Sequence, residues 1–140
     1  FKKLIIFRPY NIYGPRMGKD HVIPDFIQKL KMMKGKNFKI QGSGNEIRSF
    51  CHIDDFVGAF DLLLSKGKHL NVYNIGTSEK IKIKDLAYKM SKISKKKIII
   101  IKTPLSKGST KIRVPDISKM KKLGFKPKLN LDKGLRKILN

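Results

Sequence analysis

Apolar positions along the 140-residue chain fall alternately into short uninterrupted runs and into helical spacing, which predicts an α/β domain. Residues 4–8 (Leu-Ile-Ile-Phe-Arg) read as a buried parallel strand. Pro9 and Gly14-Pro15 end it, so residues 10–19 are loop. Val22, Ile23, Phe26, Ile27 and Leu30 then recur as one helical face, with Pro24 in the first turn and Gly35 past the end. Phe38 and Ile40 flank Lys39 in a short strand closed by Gly42-Ser43-Gly44, and residues 47–53 suggest a second. Asp54 or Asp55 is the expected cap of a helix whose apolar face is Phe56, Val57, Phe60, Leu63 and Leu64, ended by Gly67. A buried strand at 71–75 follows, then a helix carrying Ile83, Leu86, Ala87, Met90 and Ile93, and a strand at 98–102. Residues 103–111 read as loop, Asp116 opens a short helix stopped by Gly124, and a last helix enters from Asn130 or Asp132. No repeat or low-complexity linker interrupts the pattern.

Composition narrows the classes. A 40% hydrophobic content argues against disorder and allows one domain or part of a larger one. The longest apolar runs, such as 98–101, fall far short of the ~20 residues a membrane span needs. The start, Phe1-Lys2-Lys3-Leu4, is too quickly polar for a signal peptide, and Cys51 is the sole cysteine, so a reducing, cytoplasmic setting is expected. Because the first residue is Phe, the chain reads as a piece or a processed product.

The net charge of +23 points first to nucleic acid. Its make-up weakens that reading. Of 33 basic residues 28 are Lys and five are Arg, while Ile occurs 19 times and Ala twice, the profile of an AT-rich coding sequence. The lysines are spread along the chain, without the Arg forks of base readout or the aromatic platforms of single-strand binders.

Four groups could carry chemistry. Arg8-Pro9-Tyr10-Asn11-Ile12-Tyr13-Gly14-Pro15-Arg16 follows the first strand, where ligands sit in open α/β sheets, although it also reads as a plain Pro/Gly turn. Gly42-Ser43-Gly44-Asn45-Glu46-Ile47-Arg48 joins a turn that permits close backbone approach to an Arg able to grip a phosphate. His52 with Asp54-Asp55 resembles an acid/base or metal cluster but is read as a helix cap, and no metal site is assigned. Tyr88-Lys89-Met90-Ser91-Lys92 has the spacing of a catalytic Tyr/Lys pair, yet the buried stripe of its helix leaves Lys92 facing water, so it is set aside.

In order along the chain, the Arg8-to-Pro15 block, His21-Val22-Ile23-Pro24, the Gly42-to-Phe50 block, Ile53-Asp54-Asp55-Phe56-Val57, Tyr73-Asn74-Ile75-Gly76, Arg113-Val114-Pro115-Asp116 and Leu123-Gly124-Phe125-Lys126-Pro127 resemble the C-terminal half of extended short-chain dehydrogenase/reductases acting on nucleotide sugars. That group includes UDP-glucose 4-epimerases, dTDP-glucose 4,6-dehydratases and UDP-glucuronate decarboxylases. The resemblance implies the C-terminal part of an extended Rossmann-type NAD(P)-binding fold with a small α/β substrate-binding domain, residues 1–140, including a late Rossmann strand at about 4–8. It implies that Asn11 bonds the sugar diphosphate, Val22 lines the nucleotide pocket, Gln41 and Gly42 lie beside the base, Arg48 grips the pyrophosphate and Arg113 adds a second cation. Tyr10 would lie near the nicotinamide of NAD, and Arg16 near the cofactor. Family members oxidise the bound sugar to a keto intermediate before epimerisation, dehydration or decarboxylation, and are usually homodimers. No catalytic residue is assigned in this chain, because the glycine-rich cofactor turn and the Tyr-x-x-x-Lys helix of that family are expected ahead of Phe1. A half of this kind is expected to expose apolar surface.

Two alternatives stand beside this reading: a basic nucleic-acid-binding module, and an inactive fragment or adaptor. The first predicts sub-micromolar DNA or RNA affinity with a steep salt slope. The nucleotide-sugar reading predicts a shallow slope or no binding near physiological salt, and a filter-binding titration across salt concentrations separates them.

Overall fold

Residues 3–139 are described by a computed structural model. The first strand is parallel, as its apolar run predicts: β1 (Ile5–Pro9) pairs with β6 (Asn71–Ile75), Ile5 opposite Asn71 and Pro9 opposite Ile75. It is not buried, however. Ile6 and Phe7 remain 47% and 39% exposed, because on one side only α2 (Ile53–Lys66) lies against it, through Phe7, Phe56 and Phe60 at ring separations of 5.5–6.4 Å. Leu4, Val57 and Leu64 add to this uncovered apolar strip.

Two further parallel pairs are β2 (Ile12–Tyr13) with β5 (Cys51–His52), and β3 (Asn37–Gln41) with β8 (Ile99–Thr103). In β3, Phe38 and Ile40 are buried while Asn37, Lys39 and Gln41 face outward, the alternation of a strand covered on one side. A three-stranded sheet places β4 (Ile47–Arg48) between antiparallel β7 (Ile81–Lys82) and parallel β9 (Ile112–Arg113).

The helices follow their apolar stripes. α1 (Val22–Met32) buries Ile23, Phe26 and Leu30, and Pro24 sits in its first turn, where its missing N–H removes no helical bond. α3 (Ile83–Ile93) buries Leu86, Ala87 and Met90; Tyr88 is half exposed and Lys92 exposed, as expected of an outer face. α4 (Ser118–Lys122) and α5 (Leu131–Leu139) complete the chain. Asn130 accepts from the Lys133 amide at 2.9 Å and so caps α5 as expected, whereas Asp116, though it accepts from the Ser118 amide at 2.8 Å, lies one residue ahead of the α4 N-cap, Ile117, which makes no side-chain cap bond.

Two expectations are corrected. The strand expected over 47–53 is broken into β4 and β5, which belong to different sheets. The carbonyls of Ser49 and Phe50 bond side chains instead of a ladder: Asn11 Nδ2 donates to the first at 2.8 Å and Thr77 Oγ1 to the second at 3.1 Å. The cap of α2 is His52, whose Nδ1 accepts from the Asp54 amide at 3.2 Å, and not either aspartate. Asp55 is buried and accepts from the Lys128 and Leu129 amides at 2.8 and 3.0 Å, tying the 126–130 segment to α2. Asp54 pairs with Lys137 at 2.7 Å, which holds its carboxyl below the usual range.

Two cores result. One joins α1, β3, α3 and α5 through Ile23, Phe26, Leu30, Phe38, Ile40, Leu86, Met90 and Leu135, with Tyr13. The other joins α2, β6 and α4 through Ala59, Leu63, Tyr73, Ile75 and Met120. Gly134 lets α5 close on the first core, since a Cβ there would overlap the Tyr13 hydroxyl. Gly58, in the middle of α2, meets nothing within 4 Å.

The Gly42–Gly44 turn needs positive φ at both glycines, 78° and 79°. Glu46 anchors it, accepting from the Ser43 amide, the Ser43 hydroxyl and the Gly44 amide at 3.1, 2.9 and 2.9 Å. Burial by itself would raise the Glu46 pKa; these bonds together outweigh it and lower the value from 4.5.

Gly134→Ala is expected to cost about 1–3 kcal/mol by overpacking, and Gly58→Ala to add about 1 kcal/mol as a helix-interior replacement. Equal effects of the two in urea unfolding would contradict the packing described. For Glu46, a folded pKa below 4.5 means its stabilisation is complete above that pH and fades as pH falls through the lowered value. The gap in urea midpoint between the parent protein and Glu46→Gln should therefore narrow below pH 4.5; a constant gap would exclude an ionised anchor.

Candidate functional site

A cavity of about 390 Å³ opens between the N-terminus of α1, the end of β3 and β4; Arg113, on β9, is not among its lining residues. Of the residues singled out in the sequence, Val22, Gln41 and Arg48 line it. Phe26 and Ile83 supply apolar wall, and the positive charge of Lys19 and Lys29 is opposed by Asp20 and Asp25 in the same lining. Lys29 is held by Asp25 at 2.6 Å and by the Lys39 carbonyl at 3.1 Å.

Arg48 is positioned by its strand. Its Nη1 donates to the Ile47 carbonyl at 2.8 Å and its Nη2 lies 3.4 Å from Ser109 Oγ. In the parallel β4–β9 register Arg48 stands directly opposite Arg113, so the two guanidiniums leave neighbouring strands on the same face. Partial burial, and then repulsion from Arg113, lower the Arg48 pKa, while Glu46 acts in the opposite sense. Two cations placed this way form a site for an anion, and planar guanidiniums suit phosphate oxygens bidentately.

Gly42 sits behind the cavity rim rather than in it. It is buried, its N–H donates to the Thr103 carbonyl at 2.8 Å, and a Cβ there would come within 2.7 Å of Glu46 and Leu105. Asn11, at φ 44°, is half-buried and reaches the backbone next to Arg48 through its bond to the Ser49 carbonyl. Tyr10 lies at the carboxyl end of β1, its amide donating to the Ile75 carbonyl at 2.9 Å and its side chain against Gly76. Arg16, at φ 62°, is exposed in the following turn. Tyr10 thus stands at a strand end and Arg16 in the turn beyond it. They offer no cradle for a dinucleotide pyrophosphate, since β1 runs into Pro9-Tyr10-Asn11 and not into a glycine-rich turn and helix.

Sequence reasoning passed over Lys19, Lys29, Leu105, Ser109 and Glu46. Only Glu46 left a local signal, a carboxylate placed just after a Gly-Ser-Gly turn whose amides need an acceptor. Cys51 is buried against Asp55, and its thiol is pushed up to about 12 first by burial and then by that charge, which makes it inert near neutrality. Among the described residues no group of three His, Cys, Asp or Glu side chains converges as a metal site would require, and no helix is long and apolar enough to cross a membrane.

Known proteins share both the sequence and this architecture. Residues 2–76 match the NAD dependent epimerase/dehydratase family. A dTDP-D-glucose 4,6-dehydratase of Dictyostelium discoideum is 45% identical over 91 residues, covering 65% of this chain and 20% of that protein. A trifunctional UDP-glucose 4,6-dehydratase/UDP-4-keto-6-deoxy-D-glucose 3,5-epimerase/UDP-4-keto-L-rhamnose-reductase of Arabidopsis thaliana is 34% identical over 139 residues, 97% of this chain and 20% of that one. The UDP-glucuronic acid 4-epimerase of Bacillus cereus, solved with UDP-glucuronic acid and NAD, has a TM-score of 0.87 at 30% identity over 96% of this chain and 43% of its own. The chain thus spans a fifth of the length of these two curated relatives and under half of the solved structure. With a match over more than half its length and parallel strand pairs laid out as in those Rossmann-like structures, the chain belongs to the NAD dependent epimerase/dehydratase family.

Proposed function

We propose that this chain binds the nucleoside diphosphate part of a nucleotide sugar within an NAD-dependent epimerase, dehydratase or decarboxylase. The observation that carries the reading is the Arg48–Arg113 pair, in register on β4 and β9 beside the cavity that Val22 and Gln41 also line. Each guanidinium supplies donors to a phosphate oxygen, and a diphosphate offsets the repulsion between them. Phe26, Val22 and Ile83 offer apolar surface to the nucleoside, and the Gln41 amide offers both a donor and an acceptor to a base edge. Asn11, tied to the Ser49 carbonyl, supports the strand break from which Arg48 projects.

NAD, where bound, supplies the hydride acceptor for oxidation of the sugar; Tyr10 and Arg16 would flank it. The part of this chain is to bind and orient: it clamps the diphosphate and so presents the sugar toward the carboxyl ends of β1 and β6. The relatives named above act on UDP- and dTDP-sugars, and the same substrate class is proposed for the protein that contains this chain.

Isothermal titration of UDP into the intact protein tests the reading. Arg48→Ala should weaken binding by about 1.5–3 kcal/mol, as for a hydrogen bond to a charged group, and Arg113→Ala should weaken it in the same direction. Lys92→Ala, on the outer face of α3, should leave it unchanged. Full affinity in both arginine variants would remove the diphosphate site.

A further inference from the structure

Among the described residues β8 pairs with β3 alone, so it is the outer strand of a two-stranded sheet. The parallel register fixes which way its backbone faces. The Ile99 amide donates to the Lys36 carbonyl at 2.7 Å and the Gly42 amide to the Thr103 carbonyl at 2.8 Å. The backbone groups of Ile99, Ile101 and Thr103 therefore turn toward β3. Those of Ile98, Ile100 and Lys102 turn away, and their amides meet no acceptor among the described residues. The opposite edge of the same sheet is plugged: Lys29 Nζ, held by Asp25, donates from α1 to the Lys39 carbonyl of β3 at 3.1 Å. Among the described residues nothing plugs β8 in this way.

The side chains around this edge suit an added peptide strand. Residues 98–101 are four successive isoleucines, a type that favours strand pairing. Ile99 and Ile101 project from the outer face of the sheet and are exposed, a row on which alternate side chains of another strand can pack. Lysines surround the row. Lys95 and Lys97 precede it, Lys102 follows it, and Lys36 and Lys39 stand at and before β3, all five exposed. Residues 86–115 hold eight Lys, Arg113 and no Asp or Glu, so no carboxylate of that stretch answers them.

Charge decides the occupant. A second copy of this chain brings another +23 against these lysines, and lysines beside an edge are the device by which strands resist self-pairing. A phosphate backbone meets the lysines but carries no donors for the outward carbonyls. An extended acidic peptide satisfies both. We propose that the outer edge of β8 is a docking site for an extended, acidic segment of a partner protein, which adds a strand beside residues 98–102 and sets its carboxylates against Lys95, Lys97 and Lys102. The strand bonds supply affinity and the lysines select the partner. The site is separate from the nucleotide cavity, none of whose lining residues lies on β8.

Hydrogen exchange and isothermal titration on the intact protein test the edge. The probe is an octapeptide of alternating Glu and Val, and one of alternating Ser and Val is its neutral control. The acidic peptide should slow exchange at the amides of Ile98, Ile100 and Lys102 and leave Ile99 and Ile101, already bonded to β3, unchanged. The neutral peptide should bind about tenfold more weakly, the sum of three exposed ion pairs, and the gap should close as salt rises. Lys102→Pro, which removes an outward N–H as well as the charge, should weaken binding of the acidic peptide about tenfold. Lys102→Ala, which removes the charge alone, should weaken it about twofold. The exchange measurement reads the same edge without any substitution. Slow exchange at those three amides before peptide is added, or no slowing after, would overturn the docking site. Equal affinity for the two peptides, or a dimer of the protein that protects the same amides, would overturn the acidic partner. Equal losses in Lys102→Pro and Lys102→Ala would overturn strand addition.

Discussion

Two like charges held side by side set the character of this chain. Arg48 and Arg113 leave adjacent strands at the same register position, about 5 Å apart at the backbone. The backbone ladder leaves them no retreat, because the strands that carry them are built into the fold. β4 is bonded on its other edge to β7, the Glu46 carbonyl receives the Ile83 amide at 3.0 Å, and α3 starts from that bond and runs into the first core. The packing of α1, α3 and α5 thus holds β4 in the register that sets the two arginines side by side.

The surrounding devices keep the guanidiniums where they are. Glu46 spends its carboxylate on the Gly42–Gly44 turn, so it orders the loop ahead of β4 and tempers the local charge without capping either arginine. The side chains of Asn11 and Thr77 take the carbonyls of Ser49 and Phe50, the two residues that follow Arg48 at the end of β4. Those two bonds also link the site to the β1–β6 pair, since Asn11 follows β1 closely and Thr77 follows β6.

The helices were legible because each buries a stripe written at three- and four-residue spacing, as Ile23, Phe26 and Leu30 are in α1. The cap at Asn130 was legible for the same local reason. The break at Ser49-Phe50 was not, because the groups that cause it come from Asn11 and Thr77, 38 and 27 residues away. Strands as short as β7 and β9 carry no period to read. Exposed apolar surface was expected, but its place on β1 was not, because an apolar run reports the tendency to be buried and says nothing of whether a neighbour is there to bury it.

By itself the sequence determined the helix faces, the glycine turn, the candidate residues Val22, Gln41 and Arg48, and the family resemblance. The tertiary structure alone decided that Arg48 meets Arg113, 65 positions later, and that Ser106 and Ser109 reach Gln41 and Arg48. The division has one physical cause. Propensity, capping and amphipathic spacing act between residues a few positions apart and are written in order along the chain. Strand register and loop placement are fixed by burial and hydrogen bonding between segments far apart in sequence, and only the folded chain brings those segments together.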